Sequence, residues 1–226
     1  MESGNIHEHG FVRLDGSMAD DLSVVNSARV SFGAKVETFG DAEAGLINFL
    51  MRERHGTPFE HNSFRFHISC PIFVAREWFR HRIGSFNEIS GRYTRLKSNG
   101  YVPYDDYVRS QTGKPGAYTF EPMDTTLSEH VSKVISDYYT RSYGTYNYLV
   151  ERGVAKEIAR LVIPVGTFTE FYWTVNARAL MNFLSLRTDP SAQREIQDYA
   201  LLVEQIFSEL MPVTYEAWRE HGRVAP

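Results

Sequence analysis

Residues 62 to 70 read Asn-Ser-Phe-Arg-Phe-His-Ile-Ser-Cys, with Phe64, Phe66, Ile68 and Cys70 at every second position. A period of two puts these four on one face of a strand and Ser63, Arg65, His67 and Ser69 on the other. No other stretch of the chain alternates so strictly. Pro71 follows where a first helical turn accepts proline, and Ile72, Phe73, Ala75 and Phe79 predict a helix that ends near Gly84.

The rest of the chain is mostly helical in pattern. Phe11, Val12 and Leu14 predict a short strand before a helix from about Met18 to Ala28, and Asp41 is placed to cap a helix carrying Ala44, Ile47, Leu50 and Met51, stopped at Gly56. A long amphipathic helix is expected from Thr126 to Arg152, on the spacing of Leu127, Val131, Val134, Ile135, Tyr138, Tyr146 and Leu149. A shorter one from Val154 to Ile163 ends at Pro164. Val165 to Val175, rich in aromatic and β-branched residues, reads as a second strand. Asn176 to Leu186 follows as a helix, and Asp189 with Pro190 opens the last one, which carries Ile196, Val203, Ile206 and Leu210. Helices outnumber strands without regular βαβ alternation, so the expected fold is α+β rather than a doubly wound sheet. No repeat or linker divides the chain. Residues 1–226 are expected to form a single mixed domain, with a loop insertion at about 98–122 where Gly, Pro, Asp and Tyr are scattered.

Composition narrows the function classes. The single cysteine, Cys70, excludes an internal disulfide and a thiolate metal cage within one chain. It falls on the apolar side of the predicted strand, which favours a buried structural thiol. The N-terminus has no basic start followed by an apolar run, and no stretch approaches a membrane span, so a cytoplasmic protein is expected. The net charge of −4 argues against general nucleic-acid affinity. Locally the balance reverses: from Arg76 to Lys97 six cations face two carboxylates, leaving +4, and an anion is expected to dock there.

That basic segment contains Arg80-His81-Arg82-Ile83-Gly84-Ser85-Phe86-Asn87-Glu88-Ile89-Ser90-Gly91-Arg92-Tyr93. On a helix Arg80, His81 and Arg82 would point about 100° apart and serve several groups rather than one. Arginine suits phosphate and planar rings alike, through its forked donors and its flat face. Glu88, Ser90 and Arg92 add an acceptor, a hydroxyl and a guanidinium in a short loop, where Gly91 permits close approach of backbone N–H groups to phosphate. A solvated helix end with surface ion pairs is the plain alternative.

The spaced pattern of this segment resembles the signature of the flavin-dependent thymidylate synthases. His55-Gly56-Thr57-Pro58-Phe59-Glu60-His61, Ile72-Phe73-Val74-Ala75-Arg76, and Trp173-Thr174-Val175-Asn176-Ala177-Arg178 through Leu186-Arg187 resemble that family too, so the likeness covers about residues 10 to 218. It implies an α+β fold with a central antiparallel-rich sheet and flanking helices, and reductive methylation of dUMP to dTMP without a cysteine nucleophile. It implies FAD as cofactor, with NADPH and methylenetetrahydrofolate as co-substrates. By the same resemblance FAD meets Thr57, Arg80, His81, Arg82, Glu88, Asn176, Arg178 and Asn182. The nucleotide meets Glu77, Arg80, Glu88, Ile89, Ser90, Gly91 and Arg92, with Arg160 and Arg187 closing over it. His55 and Tyr93 resemble positions on the folate and nicotinamide side. Arg187 is the expected catalytic residue, since a guanidinium beside the uracil stabilises negative charge as C5 becomes nucleophilic.

Two of these assignments have structural alternatives: Asn176 as a helix cap and Arg187 as a cation facing a helix C-terminus. Ser90 has no adjacent base to activate it as a nucleophile. Glu77 departs from the family, which commonly carries glutamine there; a carboxylate cannot donate an amide hydrogen bond and repels a phosphate. The absence of GxGxxG and P-loop sequences rules out Rossmann-fashion binding. The resemblance implies a homotetramer with the flavin between subunits.

Two other classes remain to be weighed. A metal-dependent hydrolase would draw on His7, His9, His55, His61 and His67, but these form neither HExxH nor a closed ligand set, so no metal is expected. A single-stranded nucleic-acid module would rest on the arginines and aromatics from Arg76 to Tyr104, against the acidic total.

Overall fold

The structure is a computed structural model that describes residues 4–226. In chain order its elements are β1 (Gly4–Ile6), β2 (Gly10–Met18), α1 (Asp21–Arg29), α2 (Asp41–Arg52), β3 (Ser63–Pro71), α3 (Ile72–Trp78), β4 (Ser85–Glu88), β5 (Arg109–Lys114), β6 (Ala117–Pro122), α4 (Thr125–Glu151), α5 (Lys156–Ala159), β7 (Phe168–Val175), α6 (Ala177–Arg187), α7 (Arg194–Leu210) and α8 (Pro212–Glu220). They gather into two compact units. The first holds the residues up to Cys70, Val74–Glu88 and Glu170–Pro226; the second holds Pro71–Phe73 and Ile89–Thr169.

The first unit is built on a five-stranded sheet of order β1-β2-β3-β7-β4. The pairs β1–β2, β2–β3 and β4–β7 are antiparallel, and the register of β2 slips at a bulge between Leu14 and Gly16. The alternating segment is β3, and its Phe64, Phe66, Ile68 and Cys70 are all fully buried. They face an aromatic cluster. Trp78 stacks on Phe183 at 4.7 Å and meets Trp173 edge-on at 5.4 Å, while Phe66 and Phe86 lie flat against Trp173. Each such pair adds about 0.5–1.5 kcal/mol beyond the area it buries. All three tryptophans are fully buried, so these aromatic rings serve packing.

Helix α7 closes over this cluster because Ile196, Tyr199, Ala200, Val203, Ile206 and Phe207 recur at helical spacing and are all buried. The Asp21 carboxylate, at the start of α1, accepts hydrogen bonds from the N–H groups of Val213 (3.0 Å) and Thr214 (2.9 Å) and from the Thr214 hydroxyl (2.6 Å). These are first-turn donors of α8 that the helix itself leaves unpaired, so one carboxylate near the N-terminus fastens the C-terminal helix.

The second unit is organised by α4. Tyrosine hydroxyls on this helix reach loop backbone and side chains: Tyr139 donates to the Tyr101 carbonyl, Tyr146 accepts from the Leu96 N–H, and Tyr143 bonds Thr167. The predicted apolar stripe is covered only in part, since Val134 and Tyr138 are more than half exposed.

Several boundaries differ from the sequence reading. The helix after Pro71 ends at Trp78 rather than near Gly84, so Arg80, His81 and Arg82 lie beyond it and the 100° argument does not apply to them. Ser85–Glu88 is a strand, β4, rather than part of a loop; Phe86 docks on Trp173 and β7 supplies the ladder, two tertiary effects that a single apolar residue does not announce. The 98–122 stretch contains a regular hairpin, β5–β6, with six paired positions. Helix α2 stops at Arg52, where Arg54 takes a positive φ of 60°. Its N-cap is Gly40, and Asp41 is the first helical residue. The Val154–Ile163 helix is one short turn, α5, followed by a 3-10 turn at Arg160–Val162. The last helix is two, broken at Met211 before Pro212.

Candidate active site

In the first unit a polar constellation joins the end of α3 to α6. Arg187, the last residue of α6, donates from Nε to His81 Nε2 at 3.0 Å, from Nη1 to Glu77 Oε2 at 3.2 Å and from Nη2 to the Glu77 carbonyl at 3.3 Å. The Arg187 and Glu77 side chains retain 21% and 27% of their accessible surface, so water screens the ion pair only partly. Accepting through Nε2 requires a neutral His81 with its proton on Nδ1. Burial, and then the Arg187 cation, push the His81 pKa down to about 4. Burial raises the Glu77 carboxyl above its ordinary value; Arg187 opposes that rise and Glu195 adds to it.

Arg80 and Arg82 are exposed on the turn after α3, and among the described residues no carboxylate or other side chain is bonded to their guanidinium groups. The contrast is local. Arg29, Arg65, Arg178, Arg187 and Arg223 of the same unit each pair with an aspartate or glutamate.

Asn176 is the N-cap of α6, its Oδ1 accepting from the Ala179 N–H at 2.8 Å, so the capping alternative is realised and only the amide Nδ2 remains to donate outward. Arg178 and Asn182 stand one turn apart on the exposed face of α6. Arg178 donates to Glu60 at 2.5 Å and to the Pro226 carbonyl at 2.6 Å. A Cβ on Gly56 would lie 2.5 Å from Arg178 Nε and 2.7 Å from the Pro226 carbonyl oxygen, so a larger residue there would have to displace both. Thr57 opens a 3-10 turn and is exposed; His55 lies edge-on to Phe49 at 5.7 Å. Glu88 ends β4. Cys70 is fully buried and its thiol is held well above its usual pKa, first by burial and then by Glu88, so it stays protonated and inert.

In the second unit Ser90, Gly91 and Arg92 form a turn: the Ser90 carbonyl accepts from the N–H groups of Tyr93 and Thr94, and Ser90 Oγ accepts from the Arg92 N–H. Gly91 is buried, and a Cβ there would stand 3.4 Å from Arg160 Cδ, which makes these two candidates neighbours. The Arg160 guanidinium is exposed without a side-chain partner among the described residues. Arg92 is paired with Glu157 at 2.9 Å. Ile89 and Tyr93 are exposed, Tyr93 with 75% of its surface. The partners Glu60 and Glu157 had no signal in the sequence, because an ion pair across more than 60 residues leaves no spacing to read.

Among the described residues no group of three or more His, Cys, Asp or Glu side chains is placed to hold a metal ion, and no helix is long and apolar enough to cross a membrane.

Known proteins resemble this chain over most of its length. Residues 13–213 match the family model described as thymidylate synthase complementing protein. The flavin-dependent thymidylate synthase of Thermosipho africanus is 49% identical over 94% of this chain and 92% of its own, and that of Thermus thermophilus is 42% identical over 95% and 77%. The crystal structure of a UMP/dUMP methylase, PolB from Streptomyces cacaoi, bound with 5-Br dUMP, superposes with a TM-score of 0.89 at 44% identity, covering 96% of this chain and 97% of that one. A second PolB structure, bound with 5-Br UMP, matches equally well. With nearly the whole length matched in sequence and backbone alike, the chain belongs to the flavin-dependent thymidylate synthase family.

Proposed function

We propose that this chain methylates dUMP reductively to dTMP, with FAD as its bound flavin and NADPH and methylenetetrahydrofolate as co-substrates. The observation that carries the reading is the pair of exposed guanidinium groups, Arg80 and Arg82, left without carboxylates among the described residues in a unit that pairs most of its other arginines. Cations kept free in this way favour phosphate anions.

The residues present fit FAD. Arg80 and Arg82 supply charge for its diphosphate, Arg178, Asn182 and the Asn176 Nδ2 supply donors from one helix, and His81 offers an Nδ1–H. Thr57 and Glu88 complete the proposed flavin set. Bound and reduced, FAD supplies the hydride that turns a transferred methylene into a methyl group. By the family resemblance Glu77, Arg80, Glu88, Ile89, Ser90, Gly91, Arg92, Arg160 and Arg187 are proposed for the nucleotide. His55 and Tyr93 are proposed for the folate and nicotinamide side. Arg187 stabilises the negative charge that develops on the uracil as C5 attacks, an interaction made in the transition state and so expressed in kcat. The inert Cys70 accords with a route that needs no thiolate. Its exposed stripe at Val134 and Tyr138 supports assembly of the chain into the homotetramer proposed for it.

The test is an anaerobic assay of tritium release from C5 of dUMP by the flavin-loaded protein, with NADPH and methylenetetrahydrofolate supplied. Release dependent on all components is expected; a flavin-loaded protein that releases none overturns the reading. The PolB structures, bound with both 5-Br dUMP and 5-Br UMP, favour one second reading, that UMP is also an acceptor here. UMP labelled at C5 in the same assay separates the two.

A further inference from the structure

Glu77 stands where the resemblance leads one to expect glutamine, and it is the residue on which Arg187 rests. Its side-chain Oε2 takes Nη1 and its own backbone carbonyl takes Nη2, while His81 Nε2 takes Nε. Three of the five guanidinium N–H groups are thus committed, and two remain for a substrate. A guanidinium is planar, so contacts on both of its nitrogen edges fix the plane as well as the position of the group. Glu77 and His81 come from one short stretch, the last turn of α3 and the turn after it. Arg187 reaches them from the end of α6, and tertiary packing alone closes this triangle.

We propose that Glu77 is a positioning residue for Arg187: its carboxylate holds the guanidinium against the end of α3, with two N–H groups presented to the nucleotide base. This deepens the proposed function and rests on Arg187 being the group that activates dUMP. The glutamine common in the family keeps an acceptor oxygen at the same reach but brings no charge. Glutamate therefore adds to the orienting bond a negative charge within about 3 Å of the cation. The other charged group facing Glu77 is Glu195 from α7, and His81 is neutral, so the carboxylate and Arg187 compensate one another directly.

The experiment compares Glu77→Ala and Glu77→Gln with the wild type, all loaded with FAD. Flavin content and thermal melting are recorded for each, and kcat and the KM for dUMP come from tritium release across pH. Glu77→Ala is expected to lose on the order of 10- to 100-fold in kcat with a smaller change in KM, as for a misplaced catalytic group. Glu77→Gln is expected to restore most of that loss. Its pH profile should lack an acid-side inflection that the wild type shows as Glu77 takes up a proton. A Glu77→Ala enzyme that is folded, flavin-loaded and as fast as the wild type overturns the proposal. So does a Gln variant as slow as the Ala variant. Failure of the underlying reading looks different: the wild type itself then releases no tritium from dUMP.

Discussion

Asn176 has two roles assigned to it, and its two side-chain atoms allow them to be separated. Oδ1 caps α6 through the 2.8 Å bond from the Ala179 N–H. Nδ2 is the atom left for FAD. Asn176→Ala removes both, whereas Asn176→Ser keeps an oxygen that caps about as well as asparagine and removes only the amide donor. Loss of such a cap costs about 1 kcal/mol, which for a chain of this size lowers the melting temperature by roughly 2–4 °C. Loss of one net hydrogen bond to a ligand costs about 0.5–1.5 kcal/mol, or roughly 2- to 10-fold in Kd. Melting is to be measured on flavin-free protein, because a bound ligand adds its own stability, and flavin affinity by fluorescence titration. The Ala variant should be less stable and bind FAD more weakly. The Ser variant should melt like the wild type and still bind FAD more weakly. A Ser variant as unstable as the Ala variant would refute the cap, and one with wild-type flavin affinity would remove Asn176 from the flavin set.

Arg80→Ala should lose FAD, and Arg187→Ala should keep FAD while losing turnover; equal flavin content and equal activity in the two variants contradict this division. Asp21→Ala leaves first-turn donors of α8 without their acceptor, one of them on the fully buried Thr214, and should destabilise the fold by about 2–4 kcal/mol in urea unfolding. The His81 pKa lies below the ordinary histidine value, at about 4, so the fold favours the neutral ring. The stability this contributes is present above pH 6.5 and is lost as pH falls from there through 4. The full displacement is worth about 3 kcal/mol, cut by solvent screening of a half-buried ring to roughly 1–2 kcal/mol. Urea unfolding at pH 7 and pH 4.5 should therefore show a larger loss for the wild type than for His81→Asn. Cys70→Ala should retain turnover; its inactivation in a folded, flavin-loaded variant would reopen a thiol route.

Local pattern made a good part of this protein legible. The period-two run of residues 63–70 specified a strand with one buried face, and the helical spacing in α7 specified its buried side, because each periodicity is a property of neighbouring residues. Asn176 as a cap and Cys70 as a buried thiol were readable for the same reason. So was family membership, carried by spaced polar motifs. Strand β4 and the end of α3 differ from the sequence reading because they depend on distant partners. Strand β4 exists because β7 and Trp173 receive it, and α3 stops at Trp78 because the chain must turn to bring that strand in.

The sequence by itself determined which side chains are available: three arginines and a histidine within residues 80–93, an unexpected glutamate, a lone thiol. Only the tertiary structure decided how they are used. It set Arg187 on Glu77 and His81 across more than 100 residues, and among the described residues it left Arg80 and Arg82 without carboxylates. Charge and hydrogen-bonding capacity are local properties of a residue, but the partner that neutralises, orients or spares it is fixed by packing between elements that the chain brings together only on folding.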